Sequence, residues 1–392
     1  MSTERASVPR DRDDDYGQGA IDARLAFLRE RTDSAVEHVA THSQDAASLP
    51  GNVESFVGVA QVPMGVVGPL RVNGEHAKGD FYVPLATTEG TLVASYGRGM
   101  RLLHEAGGVT TTITDDRMQR APAFLFDDAR GARDFGVWVR ENETEIRRIA
   151  ESTTTSGRLI EIEQYQAGPA LFCRFDYTTG DAAGQNMTGK ATEAACRWIL
   201  EQRPEIRHHQ LESNFATDKK ASHINVLRTR GKRVVAEAVL PNELVQRLTR
   251  ATTAQLYRSR QVATFAGLMS GSNNNGSHSA NGITAMFIAC GQDAANVAES
   301  STALVYTELR ENGDYHYSIT IPSLIVATYG GGTGLPTQRE SLELLGCYGA
   351  GKVHKFAEIV AATVLCGEIS LASAIAAQEW VTAHDQYGRN RP

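Results

Sequence analysis

The sequence predicts an α+β protein in which a compact ferredoxin-like unit is inserted into a larger chain. Two observations predict this fold class. The chain has 392 residues, of which 41% are hydrophobic, so it can form two or three folded units with a sizeable core. Between about residues 123 and 210 the pattern alternates strand, helix, strand, strand, helix, which is the order of a ferredoxin-like unit.

The composition excludes several classes of protein. A chain this apolar, with a net charge of −7, is not disordered throughout. It has no run rich in Lys and Arg, so we expect no nucleic-acid partner. The five cysteines are spread singly, which predicts core thiols in a reducing compartment, without a disulfide framework or a metal site. Without a signal peptide or about eighteen uninterrupted apolar residues, we expect a cytoplasmic protein and no membrane partner.

The first elements are predicted in chain order. Residues 1–16 are rich in charge and predict a disordered leader. Helical spacing of apolar residues follows from 21 to 28, and glycine-punctuated apolar runs over 59–84 predict a β-hairpin or meander. A helix is then predicted to open at Thr87-Thr88-Glu89 and to end at Gly107-Gly108.

The remaining elements follow from the same patterns. In the inserted unit, residues 135–139 take the position of the first strand, followed by a helix (141–151), strands (158–164 and 170–177) and a helix (192–202). After it we expect a loop rich in Asp and Lys, a strand (233–240), a long helical region (279–304), two strands (315–321 and 324–328), a glycine-rich turn and helices ending near His384.

Two loops of small residues follow predicted strands and could approach an anion. The turn over 329–334 contains Gly330, Gly331 and Thr333, but it matches neither dinucleotide-binding nor P-loop spacing, and a plain tight turn is the alternative. The loop over 179–187 precedes a predicted helix, whose N-terminus could receive a dinucleotide phosphate. An ordinary capped connection is the alternative there.

Three charged positions are candidates for chemistry. Glu89 lies in a predicted first helical turn, where the helix dipole favours a carboxylate; it either serves that dipole only or delivers protons after burial. Asp293 lies on an apolar face of a predicted helix and needs a cation, which the loop 217–220 could supply; a surface turn and an internal helix bond are the alternatives. His384 closes the last predicted helix, either as a dipole partner or on an active-site flap.

In this order, these segments resemble the catalytic portion of the 3-hydroxy-3-methylglutaryl-CoA reductase family from about residue 53 to residue 389. The wording Gly-Gln-Asp-Ala-Ala resembles the eukaryotic and archaeal type. The resembling stretches are 62–70, 85–90, 118–122, 180–187, 217–220, 291–296 and 330–333.

The resemblance implies reduction of an acyl-CoA thioester to a primary alcohol, with two hydrides from NADPH. Lys219 would stabilise the oxyanion, and Asp293 would position and neutralise Lys219. Glu89 would protonate the aldehyde oxygen, and His384 would protonate the departing CoA thiolate. NADH is the alternative donor, because Thr154-Thr155 stands where eukaryotic members have a Ser-Arg pair near the 2′-phosphate.

The resemblance also implies the binding residues and the domains. Residues 17–121 and 211–392 would form a large helix-rich dimerisation and substrate domain, and 122–210 an inserted small ferredoxin-like cofactor domain. Active sites would lie between subunits of a homodimer or homotetramer. The implied cofactor residues are Asp181, Gly184, Gln185, Asn186, Met187, Gly330, Gly331 and Thr333. The implied substrate residues are Ser95, Arg98, Arg120, Asp218, Lys220 and Asn281.

Two positions depart from the family pattern near the expected distal carboxylate of the substrate. Glu212 stands where the family usually has serine, and Val262 where it has a lysine. Together these exchanges make the subsite more negative by about two charges, which opposes a dianionic acyl group. Two reactions therefore remain open. One is the conversion of hydroxymethylglutaryl-CoA to mevalonate, with Arg260 replacing the missing lysine, and the other is the reduction of a different acyl-CoA. A catalytically silent homologue that binds CoA or nucleotide is the further alternative.

Overall fold

The computed structural model describes residues 7–378 of the chain as ten strands and thirteen α-helices. The helices are α1 (Gln18–Arg31), α2 (Glu37–Ala40), α3 (Leu92–Glu105), α4 (Ala129–Glu141), α5 (Glu143–Glu151), α6 (Gln185–Gln202), α7 (His223–Leu227), α8 (Asn242–Thr249), α9 (Thr253–Ser270), α10 (Ser279–Ala289), α11 (Val297–Ser300), α12 (Pro336–Leu344) and α13 (Val353–Ala376). The strands are β1 (Met64–Gly74), β2 (Lys78–Ala86), β3 (Val109–Arg120), β4 (Ala123–Leu125), β5 (Arg158–Ala167), β6 (Ala170–Thr178), β7 (His208–Gln210), β8 (Gly231–Leu240), β9 (Leu304–Leu309) and β10 (Tyr315–Leu324).

The larger part of the molecule is built on a mixed sheet with strand order β2-β1-β3-β8-β10-β9. The predicted hairpin is β1 and β2, which pair antiparallel. Strand β8 alternates buried and half-buried positions along its length, because successive side chains of a strand point to opposite faces. This alternation places Val234, Ala236 and Leu240 in the main core.

Helix α13 is the centre of that core. Eighteen of its 24 residues are buried. It approaches α3 so closely that a Cβ on Gly99 would lie 1.9 Å from the backbone oxygen of Cys366, so this crossing requires glycine. Among the described helices, α13 alone has the length and hydropathy of a membrane span, but 78% of that stretch is buried inside the protein.

The inserted unit has the ferredoxin-like element order βαββαβ, with its first helical connection divided into α4 and α5. The predicted order contained neither β4 nor the last strand, β7. Its antiparallel sheet has the order β7-β4-β6-β5. A second hydrophobic core, which includes Phe124, Phe135 and Ile199, lies between this sheet and its helices. The end of β3 pairs with β6 and joins the two sheets.

In three segments the predicted secondary structure is wrong, apart from the start of α3, which is described with the site. Residues 135–139 are helical: Asp128 caps α4, and buried Ala132, Phe135 and Val139 follow helical spacing. The predicted helix over 279–304 ends at Ala289, because Gly291 adopts φ +67°, and its last residue begins β9. The two strands predicted over 315–328 are the single strand β10, ending at Leu324.

Predictions were also made for the N-terminal leader, for His384 near the C-terminus and for the cysteines. Residues 7–16 of the predicted leader lie against α1, where buried Arg24 donates to the backbone oxygens of Pro9 and Asp15. His384 lies outside the described residues. All five cysteines are buried free thiols, which confirms their prediction as core residues.

Candidate active site

The clearest pair of predicted catalytic groups is Lys219 and Asp293. Lys219 Nζ lies 3.0 Å from Asp293 Oδ2, and each side chain is 44% exposed. The hydrogen bond to Asp293 raises the pKa of Lys219 above its ordinary value, against a smaller opposing effect of burial. Asp293 does not lie on a buried helical face as predicted. It caps the 3-10 turn Ala294–Asn296 in the loop after α10. The loop 217–220 nevertheless supplies the cation that we expect beside Asp293, and that cation is Lys219.

A buried charged cluster lies directly behind this pair. Arg230 is fully buried and lies 2.5 Å from Asp218 and 3.3 Å from Glu299. Glu299 also accepts the backbone N–H of Lys219, at 3.0 Å. Burial raises the pKa of Glu299. Sequence reasoning missed Arg230 and Glu299; a glutamate among small residues in Ala294–Ser301 was the available signal.

Glu89 lies apart from the lysine pair. It precedes α3, because Thr91 adopts φ +73° and the helix begins at Leu92, so the predicted first-turn position is wrong. Asn281 Nδ2 donates to Glu89 Oε1 at 3.3 Å in the first turn of α10. Asp293 follows the other end of this helix, which is about 16 Å long at 1.5 Å per residue. Among the described residues, no hydrogen bond or ion pair joins Glu89 to Lys219 or Asp293.

The two predicted cofactor loops meet. The backbone oxygen of Asp181 accepts the N–H of Thr328 at 2.9 Å, which places the loop before α6 beside the turn of Gly330, Gly331 and Thr333. The Asp181 carboxylate accepts three backbone N–H groups at the start of α13, at 2.7 to 3.1 Å. Burial by itself would raise the pKa of the Asp181 carboxyl, but these three donors together hold that pKa below its usual value.

The conformations of these loops fit a phosphate-bearing ligand. Gly184 adopts φ +82° at the N-cap of α6, and no side chain caps that end. Gly330 and Gly331 adopt φ +81° and +55°, and a Cβ on either would meet nothing within 4 Å. The free N–H groups of a helix N-terminus beside an open glycine turn match the needs of a dinucleotide pyrophosphate. Thr333 is buried and steadies the turn by donating to the Gly330 oxygen at 2.7 Å.

Gln185 connects the cofactor loop to the lysine loop. Its Nε2 donates to Asp218 Oδ1 at 3.0 Å, and its backbone oxygen accepts Arg120 Nη2 at 2.9 Å. Arg120 also forms an ion pair with Glu212. The residue that departs from the family pattern is therefore bound to a predicted substrate-binding cation.

Ser95 and Arg98 form a third group, on α3. Arg98 Nε donates to Ser370 Oγ at 3.0 Å, and Ser95 Oγ lies 3.2 Å from the same oxygen. Ser95 Oγ also lies 3.3 Å from His278 Nε2. Burial, with Arg98 nearby, lowers the pKa of His278 to about 4. Sequence reasoning missed Ser370 and His278, which no spacing ties to α3.

The other predicted binding residues occupy varied positions. Asn186 is exposed at the start of α6, and Met187 packs so close to Gly157 that a Cβ there would lie 2.5 Å from its sulfur. Lys220 is exposed and donates to the Asp218 backbone oxygen at 3.0 Å. Arg260 is turned inward to the Asn275 oxygen.

A sequence model described as hydroxymethylglutaryl-coenzyme A reductase matches residues 20–389. The chain belongs to this family. It is 43% identical over 378 residues to 3-hydroxy-3-methylglutaryl-coenzyme A reductase of Pyrococcus abyssi, covering 94% of this chain and 93% of that protein. It is 41% identical over 377 residues to that of Methanocaldococcus jannaschii, with 94% of this chain covered. The predicted family resemblance is confirmed.

A solved structure shows the same fold. The class II 3-hydroxy-3-methylglutaryl-CoA reductase from Streptococcus pneumoniae, bound to NADPH in open conformations, matches with a TM-score of 0.66 at 21% identity. The match covers 90% of this chain and 96% of that one. The chain is thus an oxidoreductase of the hydroxymethylglutaryl-coenzyme A reductase family, and the predicted α+β fold class is confirmed.

Proposed function

We propose that the protein reduces 3-hydroxy-3-methylglutaryl-CoA to mevalonate and free CoA with two NADPH. The observation that carries the proposal is the Lys219–Asp293 pair. Its loop is joined to the loops that fit a dinucleotide by the hydrogen bond from Gln185 to Asp218. Relatives with this name match the chain over nearly its full length. The mixed α+β unit over 122–210, with a core of its own, supports its assignment as the cofactor domain.

The chemistry needs a fixed cation and a source of protons. NADPH supplies the hydride in each of the two reductions. Lys219 stabilises the negative oxygen that forms as the carbonyl is reduced, because a positioned cation in a partly dry site lowers the energy of that charge. Asp293 keeps Lys219 protonated and oriented. Glu89 and His384 are the proposed proton donors to the aldehyde oxygen and to the CoA thiolate.

We also propose that the active site is completed by a second copy of the chain. Glu89 and the lysine pair lie at opposite ends of α10, so within one chain the described catalytic residues do not converge. Helix α9 carries an exposed apolar surface of Val262, Phe265, Leu268 and Met269, each 65–76% exposed. Such a surface is typical of an interface, and it supports a dimer or a tetramer. Five buried free thiols support a reducing, cytoplasmic location.

One observation favours a second candidate function. The Arg120–Glu212 ion pair neutralises the cation that would hold a distal carboxylate. A member of the family acting on an acyl-CoA without that carboxylate would need no free cation there. The substrate and the donor are tested together by following NAD(P)H oxidation with hydroxymethylglutaryl-CoA, using NADPH and NADH in turn, with mass spectrometry of the product. Mevalonate formation supports the first candidate; turnover restricted to acyl-CoAs without a distal carboxylate supports the second.

A further inference from the structure

The lysine loop has an unusual backbone. Residues 211–222 form turns without a helix or strand. Three residues in it that are not glycine adopt the left-handed conformation: Asn214 at φ +71°, Thr217 at φ +57° and Lys219 at φ +56°. Such conformations persist where surrounding contacts hold them, and they are frequent at active sites. The contacts that hold the Lys219 backbone therefore set the point from which its side chain extends.

The contact that holds the Lys219 backbone is a buried carboxylate. Lys219 N–H donates to Glu299 Oε1 at 3.0 Å, and Glu299 is fully buried. The same oxygen accepts Asn296 Nδ2 at 3.1 Å and lies 3.3 Å from Arg230 Nε. Three donors from three segments therefore fix one carboxylate oxygen, and that oxygen fixes the lysine amide.

Arg230 holds the neighbouring residue in the same way. Its guanidinium is fully buried and lies 2.5 Å from Asp218 Oδ1. It also donates to the backbone oxygen of Gln119, at 3.3 Å, which ties the cluster to β3. Asp218 and Lys219 are thus both attached to one buried ion pair.

Asp293 and Glu299 lie six residues apart in one segment. Asp293 contacts the side-chain nitrogen of Lys219, and Glu299 contacts its backbone nitrogen. A side chain fixed at both ends loses little freedom when the reaction begins, which is how a preorganised site lowers a barrier.

We infer that Glu299 is a positioning residue: its carboxylate, supported by Arg230, holds the left-handed backbone of Lys219 so that Nζ is presented beside Asp293. The catalytic consequence rests on the proposed reductase function, whereas the geometric claim does not.

The geometric claim is tested without substrate, by amide hydrogen exchange of the full chain carrying ¹⁵N-lysine. In the wild-type protein the Lys219 amide should exchange at least about tenfold more slowly than the Lys220 amide, for which the described part of the chain supplies no acceptor. Glu299→Met, which preserves bulk and removes the acceptor, should abolish this protection, and Glu299→Gln should keep it. An unprotected Lys219 amide in the wild-type protein overturns the inference, with no variant required.

The catalytic consequence is tested by steady-state kinetics on the same proteins. Glu299→Met should lower kcat about 10- to 100-fold while the KM values for both substrates change less than about threefold, because only transition-state alignment is lost. Glu299→Gln should restore kcat to within about threefold. Glu358→Met is the matched control. Glu358 is a fully buried carboxylate that accepts backbone N–H groups of residues 75–77, in the turn between β1 and β2. The kcat of the Glu358→Met protein should equal that of the wild type.

The outcomes separate the two claims. Unchanged kcat in folded Glu299→Met, or an equal loss in Glu358→Met, overturns the positioning role. Absence of turnover by the wild-type protein contradicts the proposed function, while the exchange measurement still decides whether Glu299 holds Lys219.

Discussion

Replacing Glu212 with serine should open the proposed subsite for the distal carboxylate of the substrate. In the wild-type protein the Arg120 side chain is 15% exposed and that of Glu212 is 44% exposed, and the two form an ion pair. A substrate carboxylate bound to Arg120 would lie beside Glu212. Serine at position 212 removes the like charge and frees the guanidinium for a charge-assisted bond to the substrate.

The magnitude follows from the exposure of Glu212. For two carboxylates about 5 Å apart, an effective dielectric constant of about 40 to 80 gives a repulsion of about 1–2 kcal/mol. This range already allows for screening at a half-exposed position. At about 1.4 kcal/mol per factor of ten, Glu212→Ser should lower the KM for hydroxymethylglutaryl-CoA about 5- to 30-fold.

The assay is NADPH oxidation at varied acyl-CoA concentration, with hydroxymethylglutaryl-CoA compared to 3-hydroxy-3-methylbutyryl-CoA, which lacks the distal carboxylate. The second substrate should show no such gain. Glu205→Ser is the matched control, since Glu205 is 49% exposed and pairs with Arg203, which is 20% exposed. Both residues follow the C-terminal end of α6. If the KM ratio for the two substrates changes less than twofold in Glu212→Ser, Glu212 does not oppose the substrate carboxylate and this prediction is wrong.

Three further predictions concern titration and assembly. Asp293→Asn should lower the pKa of Lys219, because its largest raising contribution is lost; acylation of Lys219 measured against pH by mass spectrometry should begin at lower pH, and an identical profile would contradict the pairing. Burial raises the pKa of Asp176 to about 7, above its value in the unfolded chain, so its contribution to stability is fully present below about pH 4 and is lost as pH rises through 7. Chemical denaturation should therefore show the free energy of unfolding falling by up to about 4 kcal/mol between pH 4 and pH 7. Asp176→Asn should remove this pH dependence. Phe265→Asp with Leu268→Asp should shift the protein to monomers in sedimentation and abolish turnover; active monomers would exclude a shared site.

Local patterns were sufficient for much of the fold. The hairpin, strands β5 and β6, and helices α5 and α6 each follow from short-range hydrophobic spacing, which a single sequence displays directly. Helix α4 shows how that reading can fail. Its buried positions, Ala132, Phe135, Gly136 and Val139, have helical spacing, but a window confined to 135–139 is too short to distinguish a helix from a strand.

The site was harder to predict than the fold, because it depends on backbone conformation and on distant contacts. The start of α3 is delayed by a left-handed Thr91, and α10 is ended by Gly291; neither conformation is fixed by residue type alone. The resemblance to the reductase family indicated Lys219 and Asp293. Glu299 lies 80 residues from the amide it holds, so its contact is visible only in the folded chain.

The proposed function is tested most directly by the turnover of hydroxymethylglutaryl-CoA by the purified wild-type protein and by Lys219→Ala, with NADPH consumption and mevalonate both quantified. We predict two NADPH oxidised per mevalonate for the wild type. Lys219→Ala should lose at least about 100-fold in kcat, the scale expected for removing one oxyanion-stabilising group, while keeping its circular dichroism spectrum and thermal transition. Undiminished turnover by folded Lys219→Ala would contradict the central role assigned to the Lys219–Asp293 pair.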